Sequence, residues 1–157
     1  MIKYLILDID GTLTDGMIYM GEEGEMMKAF NIKDGYGIAV MLPERGINPV
    51  VITGRWSQIV TERCKELKIK HRFQDVKDKL QTLQQFLSKQ GSQLSECAYV
   101  GDDLNDMPCM QAVKSAGGIT ACPSDAADEV RRMVDFVAPH EGGRGAVRDF
   151  IEYLIKL

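Results

Sequence analysis

The chain has 157 residues, 19 lysines and arginines against 23 acids, and a net charge of −4. That length suits one domain with one sizeable core, the acidic balance leaves no cationic footprint for nucleic acid, and no apolar run approaches the ~20 residues of a membrane helix. His71 and His140 have no partners at ligand spacing, and Cys64, Cys97, Cys109 and Cys122 form no CxxC pair, which argues against zinc and a disulfide frame and for buried thiols in a reducing compartment.

The N-terminus enters a strand directly, with no signal-peptide layout, so a cytoplasmic protein is expected. Residues 3–9 read as that strand, apolar on both faces as at the centre of a parallel sheet. It ends in Asp8-Ile9-Asp10-Gly11-Thr12, and because a strand alternates its faces, Asp8 and Asp10 are expected to point the same way. Residues 17–30 read as a β-hairpin around the glycine-bounded acidic turn Gly21-Glu22-Glu23-Gly24. Its Met17, Met20, Met26, Met27 and Phe30 are much apolar surface for a projecting element, which points to a second subunit. A helix follows at 38–44, then a buried strand at 48–54 ending in Thr53-Gly54, and a helix at 57–67 with Ile59, Val60, Cys64 and Leu67 on one stripe. Residues 69–73 make a short strand and 78–89 an amphipathic helix. A third buried strand, 97–101, ends in Asp102-Asp103-Leu104-Asn105-Asp106. Helix 107–116, strand 117–122, helix 126–133, strand 135–138, a glycine-rich loop at 142–145 and helix 146–157 complete the chain. Strand and helix alternate throughout. The expectation is a single domain over 1–157, a doubly wound, Rossmann-like α/β fold with a mostly parallel sheet and one hairpin insertion.

In such a sheet ligands bind at the carboxyl ends of the strands. If the strands ending at Asp8/Asp10, Thr53/Gly54 and Asp102/Asp103/Asp106 are neighbours, at least four carboxylates meet at one edge. Their repulsion calls for a hard, oxygen-seeking cation such as Mg2+. A divalent cation, a free carboxylate, a hydroxyl and a lysine suit phosphate chemistry through an aspartyl-phosphate. Lys79 stands at a helix start, where ammonium and helix N-terminus can both face a phosphate; Lys77 is the competing lysine.

These residues resemble the four motifs of the haloacid dehalogenase superfamily of phosphatases, in order: Asp8-Ile9-Asp10-Gly11-Thr12, Thr53-Gly54, Lys79 and Gly101-Asp102-Asp103-Leu104-Asn105-Asp106. The resemblance implies that Asp8 is the nucleophile and that Asp10 is general acid and then base, its main-chain carbonyl binding Mg2+. It implies that Thr53 contacts the phosphoryl group, that Lys79 bridges nucleophile and phosphate, and that Asp102 binds the metal with Asp103 and Asp106 holding or supporting it. Asp103 and Asp106 are equally placed to cap the following helix. Neither gap between motifs has room for a cap domain.

Asp15-Gly16 with Ile18-Tyr19, the run from Phe30 to Ile38, Ile52-Thr53-Gly54-Arg55 with Arg63, Tyr99 to Asp103, and Gly142 to Arg148 together resemble 3-deoxy-D-manno-octulosonate 8-phosphate (KDO 8-phosphate) phosphatases over nearly the whole chain. That family implies a homotetramer whose hairpins pack together, with neighbouring subunits helping to close each site. The substrate it implies is a phosphorylated keto-acid sugar. Related activities on nine-carbon acid 9-phosphates, on broader phosphosugars, or as a non-catalytic regulatory subunit are the alternatives. A distant carboxylate on such a sugar suits arginine forks. Arg55 follows Gly54 at the site's edge. Arg63, two helical turns on, faces a similar direction, and Arg144 sits in a loop flexible enough to reach a ligand. The alternative for each is a surface arginine. Lys33 and Asp34 are expected to meet sugar hydroxyls, unless Asp34 caps a helix. Trp56 either stacks on a sugar or packs at an interface, and a tail that closes a neighbour's site is expected to be absent beyond Leu157.

Overall fold

A computed structural model describes residues 1–157. The strands in chain order are β1 (Tyr4–Leu7), β2 (Tyr19–Gly21), β3 (Gly24–Met27), β4 (Asn48–Ile52), β5 (His71–Phe73), β6 (Cys97–Val100), β7 (Ile119–Cys122) and β8 (Phe136–Val137). Six of them form one parallel sheet in the order β5-β4-β1-β6-β7-β8, and β2 and β3 pair separately as the antiparallel hairpin. The helices are α1 (Ile32–Tyr36), α2 (Leu42–Glu44), α3 (Gln58–Glu66), α4 (Lys79–Gln90), α5 (Met107–Ser115), α6 (Asp128–Met133) and α7 (Ala146–Leu154). No helix is long and apolar enough to cross a membrane.

Alternation along β1 divides the core in two. Leu5, Leu7 and Ile9 pack with Ile38, Leu42, Val60, Val147, Phe150 and Ile151 on one face. Ile6 packs on the other with Val50, Ile52, Leu83, Phe86, Tyr99, Met110 and Val113. With both faces covered, the doubly wound α/β architecture expected from the sequence is the one observed.

Several expected elements are shorter than read, by two or three residues, and two boundaries near the carboxyl edge of the sheet differ for a visible reason. The strand expected over 3–9 stops at Leu7: the amides of Thr12, Leu13 and Thr14 all converge on the Ile9 carbonyl, at 3.1, 2.9 and 3.1 Å, and wind the chain into a turn. The helix expected at 38–44 begins at Ile32. Asn31 caps it, its Oδ1 accepting from the amides of Lys33 and Asp34 at 2.8 and 3.3 Å. From α1 the chain passes through a π-helical stretch, Gly37–Met41, directly into α2. Asn31, not Asp34, therefore takes the cap.

Candidate active site

Leu7 is level with Val51 on β4 and with Val100 on β6, so the chain leaves three adjacent strands at one edge, at Asp8, Thr53 and Gly101-Asp102. This is the switch point of the sheet, since β1 is followed to one side by β4 and to the other by β6. The Thr53 loop is laced to the segment before α4: Val76 N donates to Thr53 O at 3.2 Å and Asp75 N to Arg55 O at 3.3 Å. That lacing delivers Lys79, the first residue of α4, to the same edge, while Asp78 caps the helix by accepting from Gln81 N at 2.9 Å.

Lys79 is buried, and its ammonium donates to Asp8 Oδ1 at 2.7 Å and Asp106 Oδ1 at 2.8 Å. Tyr99, buried on β6, donates its hydroxyl to the same Asp106 oxygen at 2.8 Å. The other oxygen, Oδ2, accepts from the amides of Asp102 and Asp103 at 3.1 and 3.4 Å. Lys77, the competing lysine, is exposed on an ion pair with Asp75. Burial pushes the Asp8 carboxyl well above the usual range, with the Asp106 charge adding to it and Lys79 opposing both. Burial and Asp106 likewise raise Asp102 to about 6. For Lys79 burial works against the charge, and the Asp8 and Asp106 carboxylates outweigh it, so its pKa is raised.

Glycines let the loops approach. Gly11 sits at φ +88°, and a Cβ there would lie 2.0 Å from Asp102 Oδ2. A Cβ on Gly142 would lie 2.0 Å from the Gly11 carbonyl oxygen. Gly143 N donates to Thr12 O at 3.2 Å, and the buried Thr12 hydroxyl donates to Asp102 Oδ1 at 3.3 Å. The glycine-rich loop thus braces the turn after β1 from behind. Close packing, rather than the flexibility expected from sequence, accounts for Gly142 and Gly143.

The remaining candidates divide. Asp10 is half-buried with its carboxylate on Lys28 of the hairpin rather than on Lys79. Asp103 is exposed and caps the turn before α5, accepting from Leu104 N at 2.8 Å, outside the group of Asp8, Asp102 and Asp106 whose oxygens lie within 4.8 Å of one another. Arg55 follows Gly54 at the mouth and reaches Glu25 at 3.5 Å. Arg63 lies elsewhere: its guanidinium pairs with Glu66 at 2.8 Å and sits over the Phe30 ring, 5.4 Å from the centroid. Because α3 begins at Gln58, Arg55 and Arg63 share no helix, and the two-turn spacing gives them no common direction. Asp34 is buried and turned to α7, its Oδ1 accepting from Arg148 N at 2.8 Å, which leaves it no view of a sugar. Lys33 and Arg144 line an open groove of about 590 Å3 with Tyr36, His140 and Arg148, and none of the acidic cluster lines it. Trp56 is exposed. Sequence reasoning missed Tyr99, which reads as a core aromatic, and the hairpin pair Glu25 and Lys28, which read as solvated charges.

Three carboxylates thus gather within 4.8 Å, two of them on one ammonium, and every donor is a hard oxygen. The set fits a divalent cation such as Mg2+. Both oxygens of Asp106 are already engaged, so Asp8 and Asp102 are the side chains able to hold one.

No family model matches the chain. The 3-deoxy-D-manno-octulosonate 8-phosphate phosphatase KdsC of Escherichia coli (strain K12) is 43% identical over 154 residues, covering 98% of this chain and 79% of that protein. The crystal structure of the corresponding phosphatase from Yersinia pestis superposes with a TM-score of 0.92 at 39% identity, covering 99% of this chain and 81% of that one. The Moraxella catarrhalis enzyme, solved with magnesium ion, phosphate ion and KDO, gives 0.91 at 39% identity over 99% and 86% of the two chains. With its four motifs gathered at the end of β1, the chain belongs to the 3-deoxy-D-manno-octulosonate 8-phosphate phosphatase family of the haloacid dehalogenase superfamily.

Proposed function

We propose that this phosphatase hydrolyses KDO 8-phosphate to KDO and phosphate through an aspartyl-phosphate on Asp8. The observation that carries the chemistry is the buried Asp8 carboxylate held by Lys79 at 2.7 Å at the mouth of the sheet. The likeness to KdsC over 98% of the chain carries the substrate. An Asp8 oxygen attacks phosphorus, the bond from phosphorus to the sugar oxygen breaks, and Asp10 passes its proton to that oxygen. Water then attacks the aspartyl-phosphate, Asp10 takes its proton, and the bond to Asp8 breaks. Lys79 and the Thr53 hydroxyl balance the charge of the phosphoryl oxygens. Mg2+, held by Asp8, Asp102 and the main-chain carbonyl of Asp10, supplies further neutralisation of those oxygens when bound. Asp103 stiffens the Asp102 loop through its cap. Arg55 at the mouth, and Arg144 and Lys33 in their separate groove, are the cations offered to the sugar carboxylate.

The working form is a homotetramer in the cytoplasm. Support for assembly comes from the hairpin, where Met17, Met20, Met26 and Met27 are exposed around a site that no cap covers. The four cysteines are free and buried, which suits a reducing compartment. The reading is tested by kcat/KM over a panel of eight- and nine-carbon keto-acid phosphates and hexose phosphates with Mg2+. KDO 8-phosphate is expected to lead, and a hexose phosphate that beats every keto acid overturns the substrate.

A further inference from the structure

The Asp10 carboxylate stands apart from the Lys79 cluster. Its Oδ1 accepts from Lys28 Nζ at 2.5 Å, and the same ammonium donates to Glu25 Oε2 at 3.0 Å. Glu25 in turn lies 3.5 Å from Arg55 Nη2. Four alternating charges therefore run from the turn after β1, across the hairpin, to the loop after β4.

The burial of Lys28 is what needs explaining. It lies just past β3 on an element that projects from the sheet, where a lysine can keep its head in water at no cost. Its neighbours Met26 and Met27 are 66% and 54% exposed, yet the Lys28 side chain is 2% exposed. A lysine turned inward while methionines turn outward reverses the ordinary partition. Desolvating an ammonium is costly unless its partners are close and charged. Both partners here are carboxylates, and one of them is the proton-transferring group of the reaction proposed above.

We propose that Lys28, itself held by Glu25, is a positioning residue for Asp10. By occupying Oδ1 it fixes the carboxyl rotamer and leaves Oδ2 for the proton exchanged with the sugar oxygen and then with water. It also ties the hairpin to the catalytic turn. The proposal rests on the phosphatase reading with Asp10 as acid and base. Its consequence is selective: a misplaced Asp10 handicaps an alkyl leaving group, which must be protonated, far more than a dinitrophenolate, which leaves unprotonated.

The test compares Lys28→Met, Lys28→Arg and Glu25→Gln with the intact chain on KDO 8-phosphate and on dinitrophenyl phosphate, with Mg2+. Lys28→Met is expected to lower kcat on the sugar phosphate about 10- to 100-fold, a share of what general acid catalysis supplies. KM should stay within about twofold, because the sugar is held by other groups. The pre-steady-state burst of dinitrophenolate should fall far less. Lys28→Arg should recover part of the loss, and Glu25→Gln should show a smaller loss of the same pattern. Denaturation midpoints identify any variant that fails to fold, and Lys28→Arg and Glu25→Gln then decide. A dinitrophenolate burst rate that falls as far as kcat on the sugar phosphate, or no loss on the sugar phosphate, overturns the positioning role while leaving the phosphatase reading intact. That reading falls separately if Asp8→Asn still turns over either compound.

Discussion

The buried centre and the hairpin mouth are built on opposite plans. At the centre, Asp8, Lys79, Tyr99 and Asp106 come from the end of β1, the start of α4, β6 and the turn before α5, and each is tied to another by a bond of 2.7–2.8 Å. Four elements of one sheet-and-helix frame determine that geometry, so no single loop can loosen it. At the mouth, the hairpin is a two-stranded ribbon outside the main sheet, joined to the site through Lys28, Glu25 and Arg55. Around that thread lie exposed methionines and Trp56. The contrast teaches that the buried cluster of carboxylates and lysine is completed within one chain, while the mouth beside it is left open.

Removing the proposed nucleophile should break the comparison most sharply. Asp8→Asn is expected to lower turnover of every phosphoester on the order of 10^4-fold or more, as loss of an attacking group does. Stability should not fall with it. Burial and Asp106 already push the Asp8 carboxyl toward its neutral form, so a neutral amide relieves strain there. A denaturation midpoint clearly below that of the parent chain contradicts this account of the centre.

Lys79→Met is the converse. It leaves Asp8 and Asp106 buried together with no cation between them, and breaking such a pair costs about 3–5 kcal/mol. Urea denaturation at neutral pH reads the loss directly. Double substitution with Asp8→Asn should return much of it, since one of the two orphaned charges is then gone.

Why the centre was legible and the mouth was not follows from the same contrast. Asp8, Thr53 and Asp102 stand where long apolar runs stop, and strand ends at a switch point are where a parallel sheet exposes polar groups. Tyr99 was invisible because Cys97-Ala98-Tyr99-Val100 reads as uniform core; nothing local says that its hydroxyl meets Asp106 seven residues on. Asp103 and Asp106 are three apart in an acidic run, and only the fold shows that one caps the turn and the other receives Lys79. The direction of Arg63 was not readable from the sequence, because helix phase was counted from Arg55, a residue that precedes the helix. Lys28 and Glu25 read as ordinary hairpin charges, since burial against Asp10 depends on how the ribbon folds back.

Asp34 offers a test between centre and mouth, on the helix that the hairpin leads into. Burial raises its carboxyl from 3.8 to about 6, and only one of its oxygens has a partner, Arg148 N. For an acid with a raised native pKa the folded state binds the extra proton between those two values, so its contribution to stability declines as pH rises from about 4 to about 6 and is level above. Asp34→Asn keeps an acceptor for Arg148 N and cannot titrate. Subtracting the variant's unfolding free energy from that of the parent should reveal a fall on the order of 2–3 kcal/mol across that window. A flat difference means that Asp34 is ionised and solvated, and that α1 does not pack on α7 as described.

The smallest expected effect lies on the hairpin itself. Met20 and Met26 are 63% and 66% exposed, so replacing both by serine removes nothing from the core of a single chain. Folding free energy should change by no more than about 0.5 kcal/mol, the range of surface substitutions away from special features. The same change strips apolar area from the face on which the proposed tetramer rests, and such area is what an assembly buries. Sedimentation velocity should therefore move toward smaller species while the denaturation midpoint of the dissociated chain holds. If the oligomeric distribution is unmoved and the midpoint falls instead, the methionines serve the fold of their own chain, and the open mouth must be closed by some other face.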